Sequence, residues 1–497
     1  MEKGRADTEG GSALFVRPTV LDAGIGVLYF FTSHMVIRAM YSIGVDRTST
    51  ELSVFFLVVI ASVIAAHLLS RPLLRARRFA ESALGIPAVS VTAALGATLA
   101  LVSMLPVVDV GQTVKKGQLV GRPSEDGGTP VHCGISGTVR ALSPMPVIGG
   151  EEVLCVTVEN DSFHTPEAPL SWNNTPEGIV CLMADAGLVG MGGAGFPTAV
   201  KFSTDKPIHQ VLINGCECEP YLTCDHRLML QEAEKVIKGA QAMGRVVEAA
   251  VTICVENNKP DAVTALEQAA RDADVKVLSL PARYPQGGER QLIQAVTGLE
   301  VPDGKLPADV GVLVSNVATA AALADAMDGT PLTHRIVTVS GQVNRPANLR
   351  VPIGTLLADL LAHCGGIAGD DGNSRPLYIA GGPMTGTLLE RLDVPVTKTT
   401  GGLLAILRPE NTEQNCIRCG ACARVCPSRL MPFAIDSAVI GGHPDICADY
   451  NAQQCIACGS CSYVCPAKRF LAARVSLARG TARRLNQQKA TRKEAAQ

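Results

Sequence analysis

Two cysteine runs of identical spacing lie near the C-terminus, Cys416-x2-Cys419-x2-Cys422-x3-Cys426-Pro427 and Cys455-x2-Cys458-x2-Cys461-x3-Cys465-Pro466. Nothing else in the chain narrows the fold so far. Three thiolates at this spacing wrap one face of an iron–sulfur cubane, while the cysteine before proline turns away and reaches the cluster of the other run. The arithmetic predicts a bacterial-type domain with two [4Fe–4S] clusters. One would be held by Cys416, Cys419, Cys422 and Cys465, the other by Cys455, Cys458, Cys461 and Cys426. Structural zinc also accepts CxxC pairs, but it needs only four ligands per site and has no use for the repeated Cys-Pro. Such a domain moves single electrons.

The other nine of the 17 cysteines are scattered without a pairing pattern, which points to a reducing compartment and no disulfide framework. The first twelve residues are polar and mixed in charge and show no secretory signal, so the cluster part is expected in the cytoplasm. A formal net charge of -2 gives no reason to expect nucleic acid. Charge is unevenly placed, since Lys468 to the end holds nine Lys or Arg and one acid, Glu494. A helical face with Arg474, Arg479, Arg483 and Arg484 would suit anionic lipid or an acidic partner, and a solvated tail is the plainer alternative.

Residues 1–105 form an atypical N-terminal region. Leu52 to Leu69 is an eighteen-residue stretch whose only titratable group is His67, followed by Arg71, Arg75, Arg77 and Arg78. Length and flank fit a membrane-spanning helix centred on Val54 to Leu68, with its C-terminal end inside. Ile86 to Val108 is a second uncharged run, weakened as one helix by Pro87, Gly96 and Pro106, and Val20 to Ile37 is interrupted by Asp22 and His34. Buried elements of a soluble domain would read the same way by hydropathy.

From Val107 the texture changes to alternating apolar residues punctuated by Gly111, Gly117, Gly134 and Gly137, the pattern of a small β module over 106–165. It is similar to barrel-sandwich domains of the biotinyl/lipoyl type. A carrier domain needs a modifiable lysine between its halves, and Arg122 to Pro130 contains none, so a docking module is expected instead.

Ala186 to Thr198 places five glycines, Gly187, Gly190, Gly192, Gly193 and Gly195, within nine residues. Glycine lets the backbone come within hydrogen-bond distance of an anion such as a phosphate. The placement is not the G-x-G-x-x-G of the ordinary dinucleotide fold, and Lys201 follows at a distance suited to neutralising a phosphate. A strand over His209 to Ile213 runs into Asn214-Gly-Cys-Glu-Cys-Glu-Pro-Tyr, where Glu217 and Glu219 would point the same way if the chain stayed extended. Ligands of open α/β sheets sit outside such strand ends. A helix through Leu228 to Met243, a strand over Ala250 to Glu256, a helix over Pro260 to Asp272 and a strand at Val275 to Leu280 complete a layered α/β pattern.

Gly190-Met-Gly-Gly-Ala-Gly-Phe-Pro-Thr, Asn214-Gly-Cys-Glu-Cys-Glu-Pro-Tyr, Tyr284-Pro-Gln-Gly-Gly-Glu-Arg-Gln and Ser315-Asn-Val-Ala-Thr319 resemble the RnfC family, found in the Rnf electron transport complex. More distantly they resemble the NADH- and FMN-binding subunit of respiratory complex I. The likeness covers roughly Pro106 to Gly480 in the family's order. It implies a multidomain α/β chain: the barrel-sandwich module, a Rossmann-like FMN/NADH domain over 175–330, a β-grasp (SLBB) domain with its connector over 331–407, the two-cluster domain over 408–475 and a basic tail over 476–497.

The resemblance further implies FMN on the glycine loop, with Gly190, Gly192, Gly193 and Gly195 against it, Lys201 near its phosphate, and NADH stacked on the flavin. By motif position Asn214, Glu217 and Glu219 would line the nicotinamide and flavin site, and Glu289, Asn316 and Thr319 would complete the FMN pocket. Val189 and Met191 stand where the complex I subunit has arginines, so that geometry transfers only in outline. The Gly-Gly-x-His-Pro-Pro opening usual in the family is missing, and apolar segments take its place.

Together these readings give the electron-input subunit of an ion-translocating NAD:ferredoxin oxidoreductase at the cytoplasmic face of the bacterial plasma membrane. NADH, FMN and two [4Fe–4S] clusters would be its cofactors. Other membrane subunits would be its direct partners and ferredoxin a distant one. The rival readings are a soluble flavin–cluster cobalamin reductase of a microcompartment and a flavin-less electron relay. No acid–base dyad is required, because hydride transfer is cofactor chemistry.

Overall fold

The computed structural model describes residues 104–123, 128–369, 376–407 and 412–494, with side chains through residue 486. The candidate membrane stretches before residue 104 lie outside them. Among the described residues no helix is long and apolar enough to cross a membrane.

The chain opens with short strands broken by glycine turns: β1 (Met104–Pro106), β2 (Thr113–Val114), β3 (Leu119–Pro123), β4 (Val131–His132), β5 (Gly137–Pro146) and β6 (Glu152–Asn160). They pair antiparallel as two three-stranded sheets, β1-β3-β4 and β2-β5-β6. Alternate residues Val108, Val114, Val120 and Val139 meet between the sheets, as a period of two requires. Gly137 is fixed by crowding, since a Cβ there would lie 1.9 Å from the Glu159 carbonyl oxygen.

The central domain is a parallel sheet of order β10-β7-β8-β9, built from β7 (Gln210–Gly215), β8 (Ala250–Glu256), β9 (Lys276–Leu280) and β10 (Val312–Asn316). The strands are apolar on both faces because helices cover both. Val211 and Ile213 join one core with Ile179, Met243 and Leu323, while Leu212 joins the other with Leu292 and Ile293. Gly239 lets the helix Ala233–Val246 touch the helix Val317–Met327, for a Cβ there would sit 1.8 Å from the Ala320 carbonyl oxygen.

The helix expected over Leu228 to Met243 is two helices, Cys224–Gln231 and Ala233–Val246, broken at Glu232, where φ is -131° and ψ 34°. The Glu232 carboxylate binds Lys235 at 3.2 Å and also Arg350 of the next domain. That tertiary demand is invisible to apolar periodicity.

The following domain is a five-stranded mixed sheet of order β12-β11-β15-β13-β14: β11 (His334–Gly341), β12 (Ala347–Pro352), β13 (Leu377–Ala380), β14 (Thr387–Leu389) and β15 (Gly402–Ile406). The helix Leu357–His363 packs Leu357 and Leu360 against Val337, Val339 and Leu403. β15 lies parallel to β11 at the centre of the sheet, so the stretch leading to the cysteines is part of this domain's core.

The last domain has short helices Ala421–Val425, Pro432–Ile440 and Ser460–Tyr463, closed by the long helix Leu471–Glu494. Ile435, Cys447, Val475 and Ala478 form its core. Asp436 is fully buried and accepts from Arg469 at 2.7 Å and Arg474 at 2.9 Å, the pairing that a buried charge demands. Of the four arginines expected on one outward face, Arg474 also grips Glu413, and Arg479 donates to the Cys455 carbonyl at 3.1 Å. Both are engaged inside the domain, so the outward basic face is smaller than the sequence suggested.

Candidate functional site

The carboxyl ends of the parallel strands gather the predicted cofactor residues along one edge. Asn316 ends β10 beside Asn214 near the end of β7, paired in register. Asn316 also caps the helix Val317–Met327, its Oδ1 accepting from the Ala318 N–H at 2.8 Å, while its Nδ2 donates to Asp225 Oδ2 at 2.7 Å. The glycine loop folds onto this cap. Thr319 Oγ1 accepts from the Met191 N–H at 3.0 Å, and a Cβ on Gly192 would stand 3.5 Å from the Asn316 Cβ.

Within the loop, the Gly190 N–H bonds to the Phe196 carbonyl at 2.8 Å and the Gly195 N–H to the Gly190 carbonyl at 3.1 Å. Gly193 has φ +123° with nothing within 4 Å of a would-be Cβ among the described residues. The loop is thus an open backbone cradle at a helix start, which suits a phosphate-bearing ligand. Lys201 reaches the same edge, donating to the Val314 carbonyl at 2.9 Å and pairing with Glu289 at 3.3 Å. Asn214 holds the turn after β9 through its Nδ2, which donates to the Gly287 carbonyl at 2.9 Å. In that turn Gln286 carries a buried amide nitrogen with no partner among the described residues.

Glu217 and Glu219 do not point the same way. The chain leaves extended conformation after Gly215, with the Glu217 N–H turned back to the Gly215 carbonyl at 3.1 Å. Glu217 turns inward and accepts from the N–H groups of Asp225 and His226 at 2.9 and 3.1 Å. Burial, and then the charge of Asp225, push its carboxyl up to about 7. Glu219 turns the other way and accepts from the Met384 N–H at 3.1 Å and from the Thr385 hydroxyl. Sequence reasoning does not single out Asp225, which is half-buried and bonded to Asn316; its only signal is a carboxylate in the same turn as Glu217.

The cysteines line two hollows. Cys416, Cys419, Cys422 and Cys465 surround one, with Phe433 and Leu471, and Cys426, Cys455, Cys458 and Cys461 surround the other, with Leu430 and Val475. Each hollow therefore takes three thiols from one run and the fourth from the other. Backbone N–H groups point at sulfur: Arg418 N to Cys416 Sγ and Leu430 N to Cys426 Sγ at 3.4 Å, and Ala457 N to Cys455 Sγ at 3.3 Å. Four thiols, N–H donors and apolar walls fit a cubane cluster, whose sulfur charge needs such donors.

A hydrogen bond joins these sites: the Tyr284 hydroxyl donates to the Cys458 carbonyl at 2.6 Å. Within the strand edge itself, the Gly287 N–H donates to Cys218 Sγ at 3.4 Å.

A flavin-type α/β domain joined to a dicluster module defines an iron–sulfur flavoprotein. Residues 183–325 match the Nuo51 FMN-binding domain, 336–388 the SLBB domain, 102–163 the RnfC barrel sandwich hybrid domain and 415–469 the 4Fe-4S dicluster domain. The RnfC-type component of the Na(+)-translocating ferredoxin:NAD(+) oxidoreductase complex of Acetobacterium woodii is 43% identical over 388 residues, 75% of this chain and 87% of the relative. Its counterpart in the proton-translocating ferredoxin:NAD(+) oxidoreductase complex of Clostridium ljungdahlii is 39% identical over 342 residues, 66% of this chain and 74% of the relative. Among solved structures, an NAD+-reducing [NiFe]-hydrogenase in the H2-reduced state aligns over 56% of this chain and 54% of that one, with a TM-score of 0.43 and 22% identity. The chain belongs to the RnfC family of ion-translocating oxidoreductase complexes.

Proposed function

We propose that this chain is the electron-input subunit of an ion-translocating NAD:ferredoxin oxidoreductase complex, working at the cytoplasmic face of the membrane with other subunits of the complex. The observation that carries the reading is the sharing of the eight cysteines, three and one, between two hollows in a body that also holds the glycine-loop edge. Bound FMN supplies the exchange between the paired electrons of NADH and the single electrons that [4Fe–4S] clusters carry.

The chain's own residues bind and orient. The loop of Gly190, Gly192, Gly193 and Gly195 presents backbone to the FMN phosphate, with Lys201 as its counter-charge. Thr319 holds that loop through the Met191 N–H, Asn316 caps the helix that carries Thr319 and fixes Asp225, and Asn214 holds the turn after β9 through the Gly287 carbonyl. Glu217 lines the edge, its carboxyl pushed up to about 7 by burial and then by Asp225, while Glu289 orients Lys201. Glu219 bears on the site through the Met384 segment it holds. The eight cysteines of the two runs hold the clusters. Nicotinamide specificity would come from the shape of the edge, with no proton moved by a side chain.

The test is anaerobic purification followed by iron and FMN assay and addition of NADH. About eight irons, one FMN and rapid bleaching of the flavin band by NADH are expected. Eight irons with no flavin and no response to NADH would leave an electron relay and overturn the reading.

A further inference from the structure

The two cysteine loops are built alike. Arg418 and Ala457 share positive φ, at 54° and 56°, as do Gly420 and Gly459 at 73° and 78°, and Arg429 and Lys468 at 52° each. Their surroundings differ. Around the first loop Cys416 and Cys419 are exposed and Ile417 is 69% exposed. Among the described residues, a Cβ on Gly420 would meet only Arg424 of its own domain, at 3.2 Å.

The second loop is held by two other domains. The Tyr284 hydroxyl donates to the Cys458 carbonyl at 2.6 Å. A Cβ on Gly459 would lie 2.7 Å from the Met384 carbonyl oxygen, so the backbones touch there. Met384 is itself held by Glu219, which accepts its N–H at 3.1 Å. Glu219 follows β7 and Tyr284 follows β9, so both contacts originate at the edge that carries the glycine loop.

We infer that Tyr284 is a positioning residue for electron transfer: with Glu219 acting through Met384, it fixes the Cys455–Cys461 loop against the flavin domain. The site of Cys426, Cys455, Cys458 and Cys461 is then the flavin-side one, and that of Cys416, Cys419, Cys422 and Cys465 the outward one. The inference rests on the reading that these cysteines hold clusters. Hydrogen bonds around a ligand residue tune cluster potential. A donor on the Cys458 carbonyl draws electron density from the peptide beside the thiolate and favours the more negative, reduced cluster.

Tyr284→Phe removes only the hydroxyl and keeps the ring. In the full chain, purified anaerobically, an EPR-monitored redox titration is expected to show one cluster signal moved to lower potential and the other unmoved. Reduction of the clusters by NADH is expected to slow on the order of 10-fold, because small misplacements of reacting groups are costly. Repeating the titration with Cys465→Ser, which removes the outward site, should keep the shift, and repeating it with Cys426→Ser should abolish it. Unmoved potentials with full iron content, or a shift in the outward signal, would overturn the role of Tyr284. Iron far below about eight per chain before any substitution would instead sink the cluster reading itself.

Discussion

The ammonium of Lys398 donates to the carbonyl oxygen of Gly187 at 2.7 Å, and the same nitrogen reaches the Pro130 carbonyl at 2.6 Å and Thr129 Oγ1 at 3.0 Å. One half-buried side chain thus joins the β module, the start of the glycine loop and the segment before β15. Three oxygens converge on it, that of Gly187 from a buried residue and those of Thr129 and Pro130 from half-buried ones.

Lys398→Met keeps the volume and removes all three donations. Carbonyl oxygens left unpaired in the interior cost about 1–3 kcal/mol each. The urea midpoint of the domains around Gly187 should fall, with FMN lost at lower denaturant than in the wild type. An unchanged midpoint, followed by flavin fluorescence, would show that the junction is held by apolar packing instead.

The exchange of one thiol between the cysteine hollows makes a crossed prediction. Cys426→Ser should abolish the site that it shares with Cys455, Cys458 and Cys461 and spare the one lined by Cys416, Cys419, Cys422 and Cys465, while Cys465→Ser does the reverse. Each variant should retain about four irons per chain. Iron assay with EPR of the reduced protein distinguishes this from loss of the run that carries the substitution.

Asn316→Ala removes a helix cap and the partner of Asp225 together. The cap alone is worth about 1 kcal/mol, and Asp225, pushed up by burial, loses its bonded amide. FMN affinity should fall at least 10-fold, measured by fluorescence quenching on titration with FMN. Asn316→Ser, which can restore the cap but not the bond to Asp225, should recover helix stability and leave affinity low.

Acid should weaken the chain through two histidines, the buried His132 and the half-buried His334. Burial, and then the charge of Lys398, lower His132 to about 4; burial, and then Lys116 and Arg350, lower His334 to about 4. In the unfolded chain both rings protonate near 6.5. The unfolded state therefore binds more protons between those values, and stability present above pH 6.5 is lost as pH falls toward 4. Glu217, raised from 4.5 to about 7, works in the opposite direction over part of the same range. His132→Leu should flatten the acid limb of a melting-temperature profile, and it should cost little at neutral pH because the His132 Nδ1 has no partner among the described residues.

The cluster cysteines, the glycine loop and the strands Ala250–Glu256 and Lys276–Leu280 were legible in the sequence because each depends on local spacing. Ligand spacing, glycine torsions and alternation are set within a few residues. The direction of a side chain after a strand ends is not. Glu217 and Glu219 were read as neighbours on one face, yet one turns to the Asp225 and His226 N–H groups and the other to Met384, in a domain far along the chain. The break at Glu232, the inward arginines Arg474 and Arg479, and the three-way contact of Lys398 share that origin. Local spacing determined which chemistry this chain carries. Tertiary structure decided which cysteine loop faces the flavin domain and which side chains are left at the edge, because buried donors and acceptors must find partners wherever the folded chain supplies them.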